Sequence, residues 1–208
     1  MQSMLEGTVV TLEIFFLTLL FALPLGLLLC WGRMSKIAVI RIPIMGFLQL
    51  MRGTPLMLQL FFFCYGPYYL FGWNGNDRFV SAIIAFSLNY AAYFAEIYRS
   101  GIGSVNIGQY EAAGALGFTR WQTFRKIILP QVVKHILPTM GNEFMTLVKD
   151  TSLARVIAIV ELFRVAEVSS NSAASIVPLV VAGVFYLVMN TVVGQAFRFA
   201  EKKLDYYR

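Results

Sequence analysis

Long apolar runs alternate with short polar stretches along the chain, and this pattern predicts where helices cross a bilayer. A membrane-spanning helix needs about 20 predominantly apolar residues. Five segments predict spans: about 8–31, a second that residues 56–71 complete, 79–103, 136–160 and 176–199. Residues 37–51 are either an interfacial helix or the slow entry of the second span. The second is interrupted by Arg52 to Pro55, where glycine and proline predict a structural corner.

Composition supports a membrane location. The chain has 208 residues, of which 58% are apolar and 13% are charged. Soluble domains are nearer half apolar and a quarter charged. We therefore interpret residues 1–208 as one integral membrane domain. Cys30 and Cys64 lie inside apolar runs, which favours packing over disulfide or metal roles. The only histidine, His135, is expected in a solvated basic loop rather than as a ligand or base.

The basic residues predict the orientation. Cytoplasmic loops of membrane proteins carry an excess of Lys and Arg. The far side of the five predicted spans receives only Arg78 and Arg164, with Arg155 near its edge. The other side is therefore cytoplasmic, with the N-terminus outside and the C-terminus inside. The cations on the cytoplasmic side are Arg33, Lys36, Arg41, Arg52, Arg120, Arg125, Lys126, Lys134, Lys202, Lys203 and Arg208. Because this orientation accounts for them, the net charge of +6 requires no nucleic-acid partner.

The longest polar stretch predicts two short helices joined by a glycine turn. The alanine-rich segment Tyr110 to Leu116 favours a helix, and Gly117 can end it in a left-handed conformation. Thr119 offers an N-cap for a second helix, Arg120 to Ile128, which we expect Pro130 to end. This layout suits a docking knob at the membrane surface, although an ordinary connecting loop remains the alternative.

The same stretch carries a family motif. Glu111-Ala112-Ala113, Gly117 and Ile128-Leu129-Pro130 have the spacing of the EAA motif, so this loop, at about 104–134, resembles that of ABC importer permease subunits. The resemblance implies a coupling helix that docks into a cleft of a separate ATPase subunit. The residues it assigns to coupling are Tyr110, Glu111, Ala112, Ala113, Gly114, Gly117 and Pro130.

Three further segments resemble the polar amino acid permeases (the histidine, glutamine, arginine and cystine uptake type). They are Arg52-Gly53-Thr54-Pro55-Leu56 with Gln59, Asn89-Tyr90-Ala91-Ala92-Tyr93 with Glu96 and Arg99, and Lys149-Asp150-Thr151-Ser152-Leu153 with Glu161-Leu162. The resemblance implies an all-α membrane fold of the type I ABC importer (MetI-like) kind. That fold has five core transmembrane helices and an outer N-terminus, in agreement with the span count and orientation above.

Polar residues inside the spans are candidates for a substrate path, because ionisable groups are costly in a bilayer. Asn89, Tyr93 and Glu96 share one helix face, and a local helix break near Asp150 would expose backbone groups to a cavity. Structural ion pairs, Glu96 with Arg99 and Lys149 with Asp150, are the alternative. The path candidates are Asn89, Tyr93, Glu96, Arg99, Lys149, Asp150, Thr151, Ser152 and Glu161.

These observations predict a permease subunit of an ATP-driven amino acid importer in a prokaryotic cytoplasmic (inner) membrane. The sequence has no P-loop pattern, so ATP and magnesium are expected on the ATPase partner and no cofactor or metal on this chain. The expected partners are ABC ATPase subunits, a second permease subunit (identical or a paralogue), an extracytoplasmic amino-acid-binding protein and the substrate. An ATP-independent carrier or channel for amino acids is the alternative. An intramembrane enzyme is disfavoured, since the motifs it needs are missing. The sequence leaves open which amino acid is carried and whether the permease itself holds a substrate site.

Overall fold

The computed structural model describes residues 2–73, 75 and 77–204, and this part of the chain is helical throughout its regular structure. Arg208, counted above among the cytoplasmic cations, lies outside the described residues, as does Met1. The α-helices in chain order are α1 (Gln2–Arg33), α2 (Ala38–Gly53), α3 (Leu56–Phe71), α4 (Arg78–Gly103), α5 (Ile107–Ala115), α6 (Arg120–Thr123), α7 (Leu129–Asp150), α8 (Leu162–Ala173) and α9 (Val177–Lys203). A π-helical turn, Phe124–Ile128, precedes α7, and a 3₁₀ helix, Thr151–Ile157, follows it.

Three of the described helices are long and apolar enough to cross a membrane by themselves: α1, α4 and α9. Helices α2 and α3 reach that length only together, and they meet at an angle of 109°. The corner predicted at Arg52 to Pro55 is therefore confirmed. Helix α7 carries Glu143, Lys149 and Asp150 and does not meet the same criterion. The structure thus supports several apolar helices, and five spans stay a prediction.

Helix α4 lies at the centre of the fold, and α1 packs along it. Phe86, Tyr90 and Phe94 of α4 are almost fully buried in the main core. The contact between the two helices is close at Gly26 of α1, where an added Cβ would lie 2.9 Å from Cβ of Phe94. Small residues permit this separation, as they do between membrane helices generally.

The corner between α2 and α3 is fixed by buried side-chain amides. Nε2 of Gln59 donates to the backbone oxygen of Met51 at 2.8 Å and to Oγ1 of Thr54 at 2.9 Å. Nδ2 of Asn89, on α4, donates to the same Met51 oxygen at 3.0 Å. The last carbonyls of a helix lack intrahelical partners, so these amides satisfy groups that the corner leaves open.

Pro130 does not end the helix before it, so that prediction is wrong. The chain passes through a π-helical turn and continues directly into α7 at Leu129. In this turn the amide of Leu129 donates to the oxygen of Phe124, five residues earlier. A proline in a regular helix clashes with the carbonyl four residues before it. The wider turn relieves that conflict.

The helix break expected near Asp150 takes another form. Helix α7 tightens into the 3₁₀ helix, and the amide of Thr151 still donates to the oxygen of Leu147. Oγ1 of Thr151 donates to the oxygen of Val148, and Oγ of Ser152 to that of Lys149, both at 2.7 Å. The amide of Thr151 and the oxygens of Leu147, Val148 and Lys149 are therefore hydrogen-bonded within the chain.

Two smaller expectations concern Cys30, Cys64 and His135. Both cysteines are buried in the core, where packing was expected to place them. His135 lies within α7 and not in a loop, because the helical region begins well before it. Its side chain is exposed and faces the cavity described next.

Candidate functional site: a charged cavity and a surface knob

A cavity of about 430 Å³ opens between α2, α4 and α7. Helix α7 contributes His135, Thr139 and Glu143, which recur every four residues and so share one face. Helix α4 contributes a facing row, which includes Tyr93 and Glu96. Most of the named groups are polar or charged, which is unusual inside the membrane-spanning part of a protein.

Arg52 enters the cavity from the end of α2. Its guanidinium carbon lies 5.5 Å from the centre of the Tyr93 ring, within the range of a cation–π contact. The corner between α2 and α3 follows directly, so the Gln59 and Asn89 hydrogen bonds fix the backbone from which Arg52 extends. The corner thereby determines where the cavity receives its positive charge.

Glu96 is held by two arginines from different helices. Nε of Arg33, at the end of α1, donates to Oε2 of Glu96 at 3.1 Å. Arg99 forms a salt bridge with Oε1, one turn along α4. The Glu96–Arg99 ion pair considered from the sequence is therefore present. The negative charge of Glu96 is compensated from both sides.

Arg52 and Glu143 differ from Glu96 in their ion pairing. Among the described residues, neither has an oppositely charged side chain within salt-bridge distance. Both nevertheless line the same cavity. The cavity wall thus carries one cation and one carboxylate that form no salt bridge within the described chain.

The other path candidates lie outside this cavity lining. Asn89 is 4% exposed, and its amide group donates to Met51 and Gln59. Asp150 accepts a hydrogen bond from the hydroxyl of Tyr90 at 2.8 Å. No salt bridge joins Asp150 to the exposed Lys149 in the described part of the chain. Thr151 and Ser152 donate to backbone oxygens, as described above.

Glu161 occupies a structural position. Its side chain is fully buried and caps α8, accepting hydrogen bonds from the amides of Phe163 and Arg164, each at 2.7 Å. The hydroxyl of Tyr186 on α9 donates to the same carboxylate at 3.0 Å. Buried carboxylates need such partners. Glu161 thus joins α8 to α9 and contributes nothing to the cavity wall.

A second charged cluster lies on α8, outside the predicted spans. Glu167 forms salt bridges with Arg155 at 2.7 Å and with Arg164 at 3.0 Å. The hydrogen bond from Arg164, aided by the positive charge of Arg155, lowers the pKa of the Glu167 carboxyl below its ordinary value. This cluster ties the 3₁₀ helix to α8.

The loop with the EAA motif forms the predicted helix–glycine–helix knob. Helix α5 begins at Ile107, earlier than predicted, because the side chain of Asn106 accepts from the amide of Gly108 at 2.8 Å and caps it. Gly117 has a φ of +77° and ends the turn as predicted. Thr119 and Gln122 form a reciprocal capping box at the start of α6, which confirms the predicted N-cap.

The knob exposes large apolar side chains. Leu116 is 74% exposed and Trp121 is 66% exposed, and Ile107 and Tyr110 are exposed beside them. Glu111 and Ala112 are also exposed, whereas Ala113 faces inward and is 1% exposed. Contiguous exposed apolar groups mark interaction sites. This surface is suited to contact another protein.

Residues 22–206 match the family described as "Binding-protein-dependent transport system inner membrane component". The chain belongs to this family. The resemblance to ABC importer permeases is thereby confirmed over most of the sequence, as is a membrane location.

Individual relatives agree with the family assignment. The permease is 37% identical over 205 residues to the L-cystine transport system permease protein TcyB of Bacillus subtilis (strain 168), covering 97% of this chain and 86% of that protein. It is 35% identical over 208 residues to the nopaline transport system permease protein NocM of Agrobacterium fabrum (strain C58 / ATCC 33970), covering 96% and 86%.

Solved structures establish the fold. A crystal structure of an amino acid ABC transporter with histidines matches with a TM-score of 0.87 and 32% identity, covering 97% of this chain and 94% of that one. An inward-facing structure of the MetNI methionine ABC transporter matches with a TM-score of 0.77 at 18% identity, covering 98% and 97%. The all-helical, MetI-like permease fold expected from the sequence is confirmed.

Arg52 and Glu143 line the cavity but are not among the path residues predicted from the sequence. The sequence places Arg52 in the corner between α2 and α3, and Glu143 is absent from the path candidates named above. The available signal was helical spacing: Glu143 lies seven residues before Asp150 and four after Thr139. The pairing of Arg52 with Tyr93 depends on a 109° bend and could not be read from spacing.

Proposed function

We propose that this permease is the membrane-spanning subunit of an ATP-driven amino acid importer and lines its translocation path. The family and the named amino acid permeases among its relatives support this function. The observation that carries it is the cavity between α2, α4 and α7, with its unmatched cation and carboxylate.

The cavity offers both charges that an amino acid requires. Arg52 binds the α-carboxylate, since a guanidinium can donate two parallel hydrogen bonds to a carboxylate. Glu143 accepts from the α-ammonium, and Tyr93 supplies a hydroxyl beside them. Glu96 acts with Arg33 and Arg99 as a charged wall. The path roles of Asn89, Arg99, Lys149, Asp150, Thr151 and Ser152 stay predictions.

The knob transmits the energy of ATP hydrolysis. In this proposal α5 docks into a cleft of an ABC ATPase subunit, which binds ATP and magnesium, through Tyr110, Glu111, Ala112 and Gly114. Gly117 and the capping box hold α5 at a fixed angle to α6. Because α6 continues through Pro130 into α7, movement of the knob reaches the cavity wall directly.

The proposed topology has five spans: α1, the α2–α3 pair, α4, α7 with the 3₁₀ helix, and α9. The N-terminus lies outside and the knob lies in the cytoplasm, as the distribution of basic residues predicts. A second permease subunit and an extracytoplasmic amino-acid-binding protein complete the complex in a prokaryotic inner membrane.

Reconstituted vesicles test this function. The permease, with its ATPase partner, should take up a radiolabelled amino acid only when ATP is present on the ATPase side. Arg52→Gln and Glu143→Gln should each lower uptake about tenfold or more, since a lost charge-assisted bond costs about 1.5–3 kcal/mol. Arg41→Gln, an exposed change on α2 outside the cavity, is the matched control. Uptake that continues without ATP or the ATPase contradicts the proposal and favours a carrier or channel.

A further inference from the structure

The first turns of α7 and the last turn of α9 lie side by side and enclose a pocket of about 330 Å³, which we call the terminal pocket. Two cations and one carboxylate meet three apolar side chains in this concave surface. Its lining is Lys134, Leu137, Pro138, Glu201, Lys202 and Leu204. A ligand that matches the pocket should therefore carry charge of both signs together with apolar surface.

The two helices that form the terminal pocket are closely packed next to it. A Cβ on Gly141 of α7 would lie 3.0 Å from the Phe197 ring of α9, and a Cβ on Gly194 of α9 would lie 3.3 Å from the sulfur of Met145. Small residues permit such close approach between membrane helices. The charged side chains of the pocket therefore extend from backbones whose separation is fixed.

The terminal pocket lies where an apolar helix surface gives way to charge. Val188, Val192 and Phe199 of α9 are exposed and recur at helical spacing, so they form one apolar stripe. Lys202 and Lys203 follow in the next turn, and both are exposed. In the topology proposed above, this turn lies at the cytoplasmic surface of the bilayer, where lysines meet lipid headgroups. A membrane lipid is therefore the class of ligand that reaches both the stripe and the pocket.

Glu201 determines which headgroup the pocket fits. No salt bridge within the described part of the chain includes this carboxylate. A purely anionic headgroup would bring its phosphate beside Glu201, where like charges repel. Phosphoethanolamine instead carries a phosphate and a primary ammonium. The ammonium can donate a charge-assisted hydrogen bond to Glu201 while the phosphate accepts from the two lysines of the pocket. The negative end of the α9 dipole favours a cation at the same place.

We propose that the terminal pocket binds the headgroup of a phosphoethanolamine lipid. The phosphate lies at Lys134 and Lys202, the ammonium lies at Glu201, and an acyl chain follows the stripe that ends at Phe199. The inference rests on the proposed function only for the cytoplasmic position of the pocket. It gives the permease a lipid site that shares no lining residue with the cavity between α2, α4 and α7.

Native mass spectrometry of the detergent-purified complex with its ATPase counts the bound lipids and tests the headgroup. The complex is mixed with equal amounts of phosphatidylethanolamine, phosphatidylcholine and phosphatidylglycerol that have the same acyl chains. Phosphatidylethanolamine should be retained several-fold more than either of the others. Choline has no N–H group to donate to Glu201, and the glycerol headgroup has no cation. Equal retention of the three lipids, or a preference for another of them, overturns the proposal.

Charge-neutral variants locate the site. Glu201→Gln should bring the retention of phosphatidylethanolamine down to that of phosphatidylcholine, because the charge-assisted bond to the ammonium is lost. Lys202→Gln should weaken all three lipids several-fold, since the phosphate is common to them. Glu6→Gln and Lys36→Gln are matched controls, because both side chains are exposed and lie outside the pocket. A headgroup preference that survives Glu201→Gln overturns the proposal.

A larger side chain tests the pocket without altering its charge. Leu137→Trp should fill the pocket and lower retention of all three lipids several-fold, whereas Val180→Trp, on an exposed part of α9, should leave it unchanged. Equal retention by these two variants contradicts binding in the pocket. Water-soluble glycerophosphoethanolamine has the same headgroup without acyl chains and should not displace the lipid at equal concentration. Displacement would assign the pocket to a soluble ligand and overturn the lipid assignment.

The two proposals fail separately, because lipid retention is measured without ATP or uptake. ATP-driven uptake together with equal retention of the three lipids would leave the transport function intact and remove the lipid site. A Glu201-dependent preference together with ATP-independent uptake would leave the lipid site intact and remove the ABC function.

Discussion

Nδ2 of Asn89 on α4 donates a hydrogen bond to Oε1 of Gln59 on α3 at 3.0 Å. The two residues are 30 positions apart and belong to two different family-like segments. Gln59 in turn donates to the backbone at Met51, so the contact joins α4 to the corner between α2 and α3. Both side chains are almost completely buried. The cavity cation, Arg52, extends from this corner.

Replacing Gln59 with Leu should destabilise the corner. The change removes the hydrogen bonds that Nε2 of Gln59 donates to Met51 and Thr54 and the bond that its Oε1 accepts from the buried Asn89, each worth about 0.5–1.5 kcal/mol. Thermal unfolding of the detergent-purified permease measures the effect, with exposed Gln195→Leu as the control. Equal melting temperatures for the two variants would show that the corner does not depend on Gln59.

Replacing Gly26 with Ala should separate α1 from α4. The added methyl would lie 2.9 Å from Cβ of Phe94 and 3.2 Å from the oxygen of Ala91, and neither atom belongs to a flexible side-chain end. Overpacking of this kind costs about 1–3 kcal/mol. Gly46→Ala is the matched control, because nothing lies within 4 Å of its added Cβ. A Gly26→Ala protein as stable as the control would contradict the close packing.

Replacing Gly117 with Ala should weaken coupling more than folding. Left-handed backbone costs an L-residue about 1–2 kcal/mol, and Gly117 has a φ of +77°, so the change should reorient α5. We expect ATP-driven uptake to fall several-fold while the purified complex keeps its melting temperature within a few degrees. Gly103→Ala, with open space around it and no positive φ, should retain uptake. Unchanged uptake by Gly117→Ala would argue against a fixed knob.

Glu167 predicts an acid-sensitive contribution to stability. Its pKa is lowered in the folded protein by Arg164 and Arg155, so its contribution is present above the ordinary value of 4.5 and is lost as pH falls through the folded pKa. The melting temperature of the unaltered protein should therefore exceed that of Glu167→Gln at pH 7, and the difference should shrink below pH 4.5. The side chain is 27% exposed, so solvent screening keeps the effect small. A difference that grows toward acid pH would contradict this assignment.

The sequence predicted elements whose causes are local. The residue type of Thr119 predicts a helix N-cap and that of Gly117 predicts a left-handed turn, and both are present. Arg99 lies one turn from Glu96, which predicts their ion pair. The EAA spacing identified the family, since such a pattern depends only on positions along the chain.

The remaining features depend on contacts between distant segments. Arg33 donates to Glu96, 63 positions away, and no spacing pattern in the sequence predicts that ion pair. Glu161 is a predicted path residue because it is acidic within a family-like segment, and its position as the buried cap of α8 depends on tertiary packing. Asn89 shares a helix face with Tyr93 and Glu96, but the corner of α2 and α3 covers it. Which polar face meets a cavity and which meets a neighbour is decided by tertiary packing.

The π-helical turn Phe124–Ile128 links the spacing of the EAA motif to the orientation of α5. A π turn accommodates one residue more than a regular helical turn, and each residue of an α-helix corresponds to about 100° of rotation. Deleting one residue between Thr123 and Pro130 would restore a regular helix and turn the knob by about that angle around the α7 axis. The number of residues between Gly117 and Ile128 therefore sets the direction in which α5 points around the α7 axis.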